Sequence, residues 1–467
     1  MKNIKVALVN PGTFWKGMVF VYEPIGLGYI ASYLEKNGIE VKIIDEIAGQ
    51  NVKKEIKKFN PNIVGITANT LVIPDAYRIA DICKEMGIRT VIGGTHASAL
   101  PEEVLKHADI VVVGEGESAM LKIINENIKS GIVSAPYIEN LDDIPILARH
   151  LIDMDFYFEF HSKFSLNPKI KSGKMITSRG CSHKCLFCRN SFIKAPSRSN
   201  SAERVVSEMK FLIDKYKVEN ITFYDDNFLT DKDRVEKICD LIKENNINIK
   251  WFFESRADSI NPRILKKVKE AGCYRILFGF ESGSQKILNF LGKEIMVEQN
   301  QKAIDLCKEA GIFISGFFMV GSPIETIEDI EATKKFVEKN SNIFPIFHVF
   351  TPYPGTKFWE LYKKNNILSE DLDWSRFVSA KLFFYLSFKL FSPKFSEHIS
   401  VCDFIPKDEL KIIFNQFMQI EKSRYLAVVK NSISYKLYTD LLRLLWLIKF
   451  GLKHPHTLKN KINQWNH

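Results

Sequence analysis

Residues 173–188 read GKMITSRGCSHKCLFC, a short strand-like run leading into a loop that carries Cys181, Cys185 and Cys188. The spacing is CxxxCxxC. Three thiolates on one short loop suit three irons of a 4Fe–4S cluster and leave the fourth iron without a protein ligand. An open iron chelates a small molecule and passes it an electron, which points to a reaction centre rather than an electron wire. The competing reading is a structural zinc site with His183 as fourth ligand. Zinc sites of that kind pair two CxxC-like halves across a spacer, and no second half occurs in the sequence. Cys83, Cys239, Cys273, Cys307 and Cys402 stand singly in apolar or helical contexts and read as buried thiols.

Downstream of the loop, strand and helix patterns alternate from about Lys174 to Thr356. NITFYDDNF, IKWFFESRAD, RILFGFES, FISGFFMVG and IFHVFTPYPGT supply strands, with amphipathic segments such as AERVVSEMKFLIDKYK between them. Six such units predict a partial β/α barrel, with its chemistry at the carboxyl ends of the strands. Those ends carry Asp225, Asp226 and Asn227, then Glu254 and Arg256, then Glu281 and Ser282. Acids at buried strand ends are costly unless they bind something. Asp225 or Asp226 equally suits a helix N-cap. Glu281 ends an apolar strand before Ser-Gly-Ser, where both of its oxygens can take ribose hydroxyls.

Upstream, residues 1–130 also alternate, with apolar runs at IKVALV, VKIID, NIVGIT, IRTVIGG and ADIVVVG. The pattern predicts an α/β fold with a doubly wound, Rossmann-like parallel sheet, whose ligand lies outside the strand carboxyl ends. Those ends carry Asn10, Pro11 and Gly12; Thr67, Asn69 and Thr70; Gly93, Gly94 and His96; and Gly114, Glu115 and Gly116. Small and hydroxyl residues there let a large flat ligand approach the backbone. No GxGxxG follows the first strand, which disfavours a dinucleotide. Residues 131–172 show no clean repeat and read as a linker. The expected division is therefore 1–130, a linker at 131–172, a barrel at 173–360 and a mostly helical region at 361–467 that covers the substrate.

The hydrophobic content of 46% is ordinary for a globular chain. Cysteine spacing does not suggest a disulfide framework, and the N-terminus goes straight into a strand pattern rather than a signal peptide. These features favour a reducing cytoplasm. Of the net charge of +10, eight units fall between Lys422 and the C-terminus, which holds nine Lys/Arg and one acid, Asp440. The near-neutral remainder does not suggest a nucleic-acid partner.

The cysteine loop, with Phe187 before its last cysteine, and the strand–helix series after it resemble the radical SAM superfamily. GGTHASALPEEVLKHADIVVVGEGE resembles the cobalamin-binding domain that precedes many radical SAM domains. Membership of that branch implies three cofactors: the cluster, S-adenosylmethionine and cobalamin. In the branch, the open iron binds the amino and carboxylate groups of S-adenosylmethionine. Reductive cleavage then gives a 5′-deoxyadenosyl radical, and methylcobalamin supplies a methyl group to an unactivated carbon. By the same resemblance, FYDDNF lies near the S-adenosylmethionine amino group and GFESGS contacts its ribose. Arg256 or Arg275 meets its carboxylate. The branch also includes the anaerobic magnesium-protoporphyrin cyclase, so cyclisation, rearrangement or oxidation without methyl transfer stays open. So does a cobalamin sensor or carrier, against which the intact cysteine triad argues. The DxHxxG pattern that supplies a cobalt ligand elsewhere is absent, so His96 is expected to hydrogen-bond in the cleft rather than bind metal. An electron donor such as flavodoxin or ferredoxin is implied.

The C-terminal region holds the aromatic run SAKLFFYLSFKLF at 379–391 and an apolar, basic segment, Tyr435–Lys453. A helix over Tyr435–Lys453 either packs in the protein or lies on an anionic bilayer surface as a peripheral contact at the inner membrane face. The bilayer alternative would favour a lipid over another small-molecule substrate.

Overall fold

The computed structural model describes residues 4–12, 21–164, 170–190, 195–365, 372–374, 377, 405–428, 446 and 449–455. The first sheet has six parallel strands: β1 (Lys5–Asn10), β2 (Glu40–Asp45), β3 (Ile63–Thr67), β4 (Arg89–Gly93), β5 (Ile110–Val113) and β6 (Gly131–Ser134). Their spatial order is β2-β1-β3-β4-β5-β6. β1 pairs with both β2 and β3, with Val6 opposite Val41 on one side and Ile63 on the other. The strand order reverses between β1 and β3, and ligands of open α/β sheets bind above such a switch point. Continuous apolar runs such as IVGIT form these strands because helices cover both faces of the sheet.

The second sheet is again parallel: β7 (Ser172–Met175), β8 (Asn220–Phe223), β9 (Lys250–Ser255), β10 (Cys273–Glu281), β11 (Phe313–Val320) and β12 (Ile343–Val349). Here the spatial order is sequential, from β7 at one edge to β12 at the other, as in a barrel that has not closed. Its helices start on side-chain caps. Ser201, Asp231 and Asn261 accept from the backbone N–H of Arg204, Arg234 and Ile264 at 2.9–3.1 Å. The open edge at β12 is covered by the helix Lys407–Val428. Phe417 packs on Phe347 with ring centroids 4.5 Å apart, and Glu421 accepts from the Phe347 N–H at 3.3 Å.

The span read as a linker contributes more than a connection. Its first residues are β6, the edge strand of the first sheet. GIVS is too short to show a period, so only its partner β5 reveals it. Further on, the helix Met154–Phe164 brings Tyr157 onto Asp45, whose carboxylate accepts from the tyrosine hydroxyl at 2.5 Å. Burial pushes that carboxyl up to about 6.

Charged pairs join the two sheets. Lys174 of β7 meets Glu23 at 2.7 Å, Arg179 meets Glu117 at 2.7 Å, and Arg198 meets Glu115 at 2.5 Å. Losing one partner of such a buried pair costs roughly 3–5 kcal/mol, which fixes how the sheets face one another.

The run 379–391 and most of Tyr435–Lys453 lie outside the described residues. Within the latter, Trp446 and Phe450 are buried against Phe156 and Phe160, so these aromatics are spent on the protein. Among the described residues no helix is long and apolar enough to cross a membrane.

Candidate active site

The cysteine loop is pinned at its base and along its length. Ser178–Arg179 pairs antiparallel with Arg198–Ser199, closing the neck. Asp225, at the end of β8, accepts from Thr177 N and Oγ1 at 2.6 Å each and from Ser178 Oγ at 2.7 Å. Asp226 accepts from Gly180 N at 3.2 Å. Farther out, Leu186 N donates to Leu291 O at 2.9 Å, and Leu186 O accepts from Lys357 N at 3.1 Å. Cys181, Cys185 and Cys188 are not in disulfides. Burial raises the Cys185 thiol and pushes Cys188 up to about 11, so a bound cation is needed to hold them as thiolates at neutral pH. One is already near: Arg256 Nη1 lies 3.7 Å from Cys185 Sγ, while Asp258 and the Lys293 carbonyl fix the rest of that guanidinium.

The donor set fits a cluster better than a single ion. A single ion draws its ligands to one point, and among the described residues no three His, Cys, Asp or Glu side chains converge in that way. In a four-iron cube each thiolate binds its own iron, so three thiols spaced along an anchored loop are suitable. The partly exposed His183 completes no zinc set among these residues.

Beside the loop, Glu281 ends β10 with φ 63°, in the left-handed region. A non-glycine residue held there costs of order 1–3 kcal/mol and is typical of ligand sites. Its Oε1 accepts from Lys293 Nζ at 2.8 Å, and Lys293 lies 5.9 Å from the Phe187 ring centre. Gly279 makes room for this pair: a Cβ there would stand 2.3 Å from Glu281 Oε1 and 2.8 Å from Lys293 Nζ. Lys293 belongs to no motif, and only the fold brings it to Glu281.

The other expected residues separate. Ser282 is fully buried and bonds Thr333, away from Glu281's carboxylate. Asn227 accepts from Ser255 Oγ at 2.8 Å. Arg256 lies at the cysteine loop, whereas Arg275 is held by Ser315 between the rings of Phe252 and Phe313. Burial, with the nearby Asp226 charge, pushes Glu254 up to about 7.

Two neighbouring cavities lie at the ends of the first sheet. One, of about 350 Å³, spans both sheets. Its first-sheet wall includes Thr67, Gly93, Gly94, Gly114 and Gly116, and its barrel wall includes Ser178, Arg189, Tyr224 and Asp226. The second, about 270 Å³, is lined by Asn10, Pro11, Asn69 and Thr95 and shares Thr67 and Gly94 with the first. Gly94 has φ 102°, and a Cβ there would come within 2.6 Å of Ala68 O. Adjacent cavities with glycine-rich walls at the strand ends, one of them beside the switch point, fit the large, flat cobalamin. Gly12 lines neither cavity; its N–H donates to Glu46 at 3.0 Å. Glu115 is tied to Arg179 and Arg198. His96 is 1% exposed, bonds Thr70 through Nδ1 at 3.1 Å and lines neither cavity. Its ring is packed beneath the loop, edge-on to Trp374.

A thiol-bearing barrel facing a glycine-ended sheet defines the class, and comparison with known proteins agrees. Residues 175–337 match the radical SAM superfamily model, and residues 18–124 match the B12 binding domain model. An uncharacterized methyltransferase of Pyrococcus horikoshii is 35% identical over 81% of this chain and 87% of its own length. Bacteriochlorophyllide d C-8(2)-methyltransferase of Chlorobaculum tepidum is 31% identical over 69% and 72%. The fold also matches TsrM, a radical S-adenosylmethionine methyltransferase from Kitasatospora setae, solved with cobalamin and a 4Fe–4S cluster. That match has TM-score 0.64 and 18% identity over 78% of each chain. The chain belongs to the cobalamin-binding radical SAM family of enzymes, whose cofactors are a 4Fe–4S cluster, S-adenosylmethionine and cobalamin.

Proposed function

We propose that the chain methylates an unactivated carbon of a small molecule. The observation that carries this reading is the cavity whose opposite walls come from the glycine-ended first sheet and from the base of the cysteine loop. A methyl donor on one side and a hydrogen-abstracting centre on the other can then reach one substrate. The methyltransferase relatives support the same reading.

In this proposal Cys181, Cys185 and Cys188 hold the cluster, and Glu281 takes the ribose hydroxyls of S-adenosylmethionine. When bound, the cofactors supply hydrogen-atom abstraction and a methyl group. The chain supplies position and charge. Asp225 keeps the loop base in register, Arg256 offsets thiolate charge at Cys185, and Lys293 orients the Glu281 carboxylate. The strand-end loops of the first sheet and the base of the cysteine loop share the cavity, and the ion pairs of Glu115 and Glu117 with Arg198 and Arg179 hold the two sides together beside it. A small reducing protein such as flavodoxin or ferredoxin supplies electrons. The test is mass spectrometry of small molecules and lipids from cells with and without the gene. A compound gaining one CH2 unit only when the gene is present is the expected result. A gene-dependent product with an unchanged carbon count would instead establish cyclisation or oxidation.

A further inference from the structure

Three arginines line the 350 Å³ cavity: Arg179, Arg189 and Arg198. Two are neutralised in place. Arg179 pairs with Glu117 at 2.7 Å and Glu115 at 3.2 Å, and Arg198 pairs with Glu115 at 2.5 Å. Arg189, directly after Cys188, is different. Its Nε is buried without a partner, and the guanidinium makes no ion pair among the described residues. The acid nearest in the cavity wall, Asp226, spends its Oδ2 on Gly180 N. Asp226 acts on it only from a distance, without an ion pair, so burial leaves the guanidinium under-compensated and a ligand anion is its natural complement.

The rest of the cavity says which anion. Its deep wall is Leu8, Ile66, Val91, Val112 and Met120, which suits a flat uncharged ring. Arg256, Glu281 and Lys293, the charged groups beside the cysteine loop, do not line it. The fitting ligand therefore joins an apolar aromatic base to a single negative charge. Cobalamin's lower arm has that chemistry, a dimethylbenzimidazole nucleotide linked through a phosphodiester. We infer that Arg189 binds the arm phosphodiester of cobalamin while the base occupies the apolar wall, so that the residue following the third cysteine ties the barrel to the corrinoid. The inference rests on the proposed cobalamin binding.

The test titrates full-length, cluster-reconstituted protein with hydroxocobalamin and with dicyanocobinamide, which lacks the phosphodiester, ribose and base. Arg189→Met is expected to weaken hydroxocobalamin binding about tenfold, the scale of one charge-assisted hydrogen bond. Cobinamide affinity should not change, and Arg189→Lys should recover part of the loss. Unchanged cobinamide binding also reports that the variant is folded. Equal loss for both corrinoids, or no loss for hydroxocobalamin, overturns the inference while leaving cobalamin binding intact. A loss confined to S-adenosylmethionine affinity overturns it too, by moving Arg189 to the other cofactor. Wild-type protein that binds neither corrinoid overturns the cobalamin reading and this inference together.

Discussion

Both sheets of this protein are six parallel strands joined by helices, yet their carboxyl ends are built from different chemistry. Around the cavity the first ends in glycine and threonine, and the acids there, Glu115 and Glu117, are tied to arginines from the barrel side. The second ends in acids, with cysteines, arginine and lysine in the loops beside them. Backbone-lined ends admit a bulky ligand. Charged ends suit a small polar ligand and a metal cluster. Strand order completes the contrast: a reversal in the first sheet opens a crevice, whereas the sequential second sheet curls around a lumen.

The largest effect expected on the barrel side is from Asp225→Ala. It strands the Thr177 and Ser178 donors and leaves Arg234, 3.7 Å away, without its buried counter-charge. A loss of about 3–5 kcal/mol in denaturant unfolding, with poor iron retention, is expected. A stability within error of wild type would show that the loop base is not held by this carboxylate.

A smaller, local effect is expected at the strained Glu281. Glu281→Gln keeps the shape but removes the charge opposite Lys293. Affinity for S-adenosylmethionine should fall about tenfold, with iron and cobalamin content unchanged. Equal loss of cobalamin would erase the distinction between the two sheet ends.

The smallest effect concerns the barrel's open edge. Burial pushes the Glu421 carboxyl up to about 8, so the folded protein holds a proton there that the unfolded chain releases near its ordinary value of 4.5. Between those two values the folded state binds more protons, so this group's contribution to stability falls as pH rises. Glu421→Gln removes that slope. The variant should match wild type near pH 5 and exceed it by about 1–2 kcal/mol near pH 9 in urea melts. Parallel pH profiles would show that Glu421 is solvated rather than closing the edge.

What could be read from sequence follows how local each signal is. β1 to β5 announce themselves as apolar runs, whereas β6 is four residues long and exists by pairing with β5. The cysteine spacing is local, so the loop was legible. In sequence Asp225 suits a cap or a ligand contact. Its partner Thr177 is 48 residues away and meets it because β7 and β8 are neighbours. Lys293 carries no spacing signal, and Arg189 follows the cysteine motif without belonging to it; both become visible once Glu281 and the cavity wall have positions. His96 looked like a cleft residue by its place after β4, but its ring turns into the core toward Thr70.

The most direct test measures iron and cobalamin together on the same reconstituted protein, in wild type and in two variants. Wild type should hold about four irons and one cobalamin per chain. Replacing Cys181, Cys185 and Cys188 by Ala should remove the iron and keep the cobalamin. Gly94→Val, which forces a side chain against Ala68 O at a left-handed position, should remove the cobalamin and keep the iron. Wild type that binds only one cofactor, or variants that lose both together, would contradict two separately built sites facing one cavity.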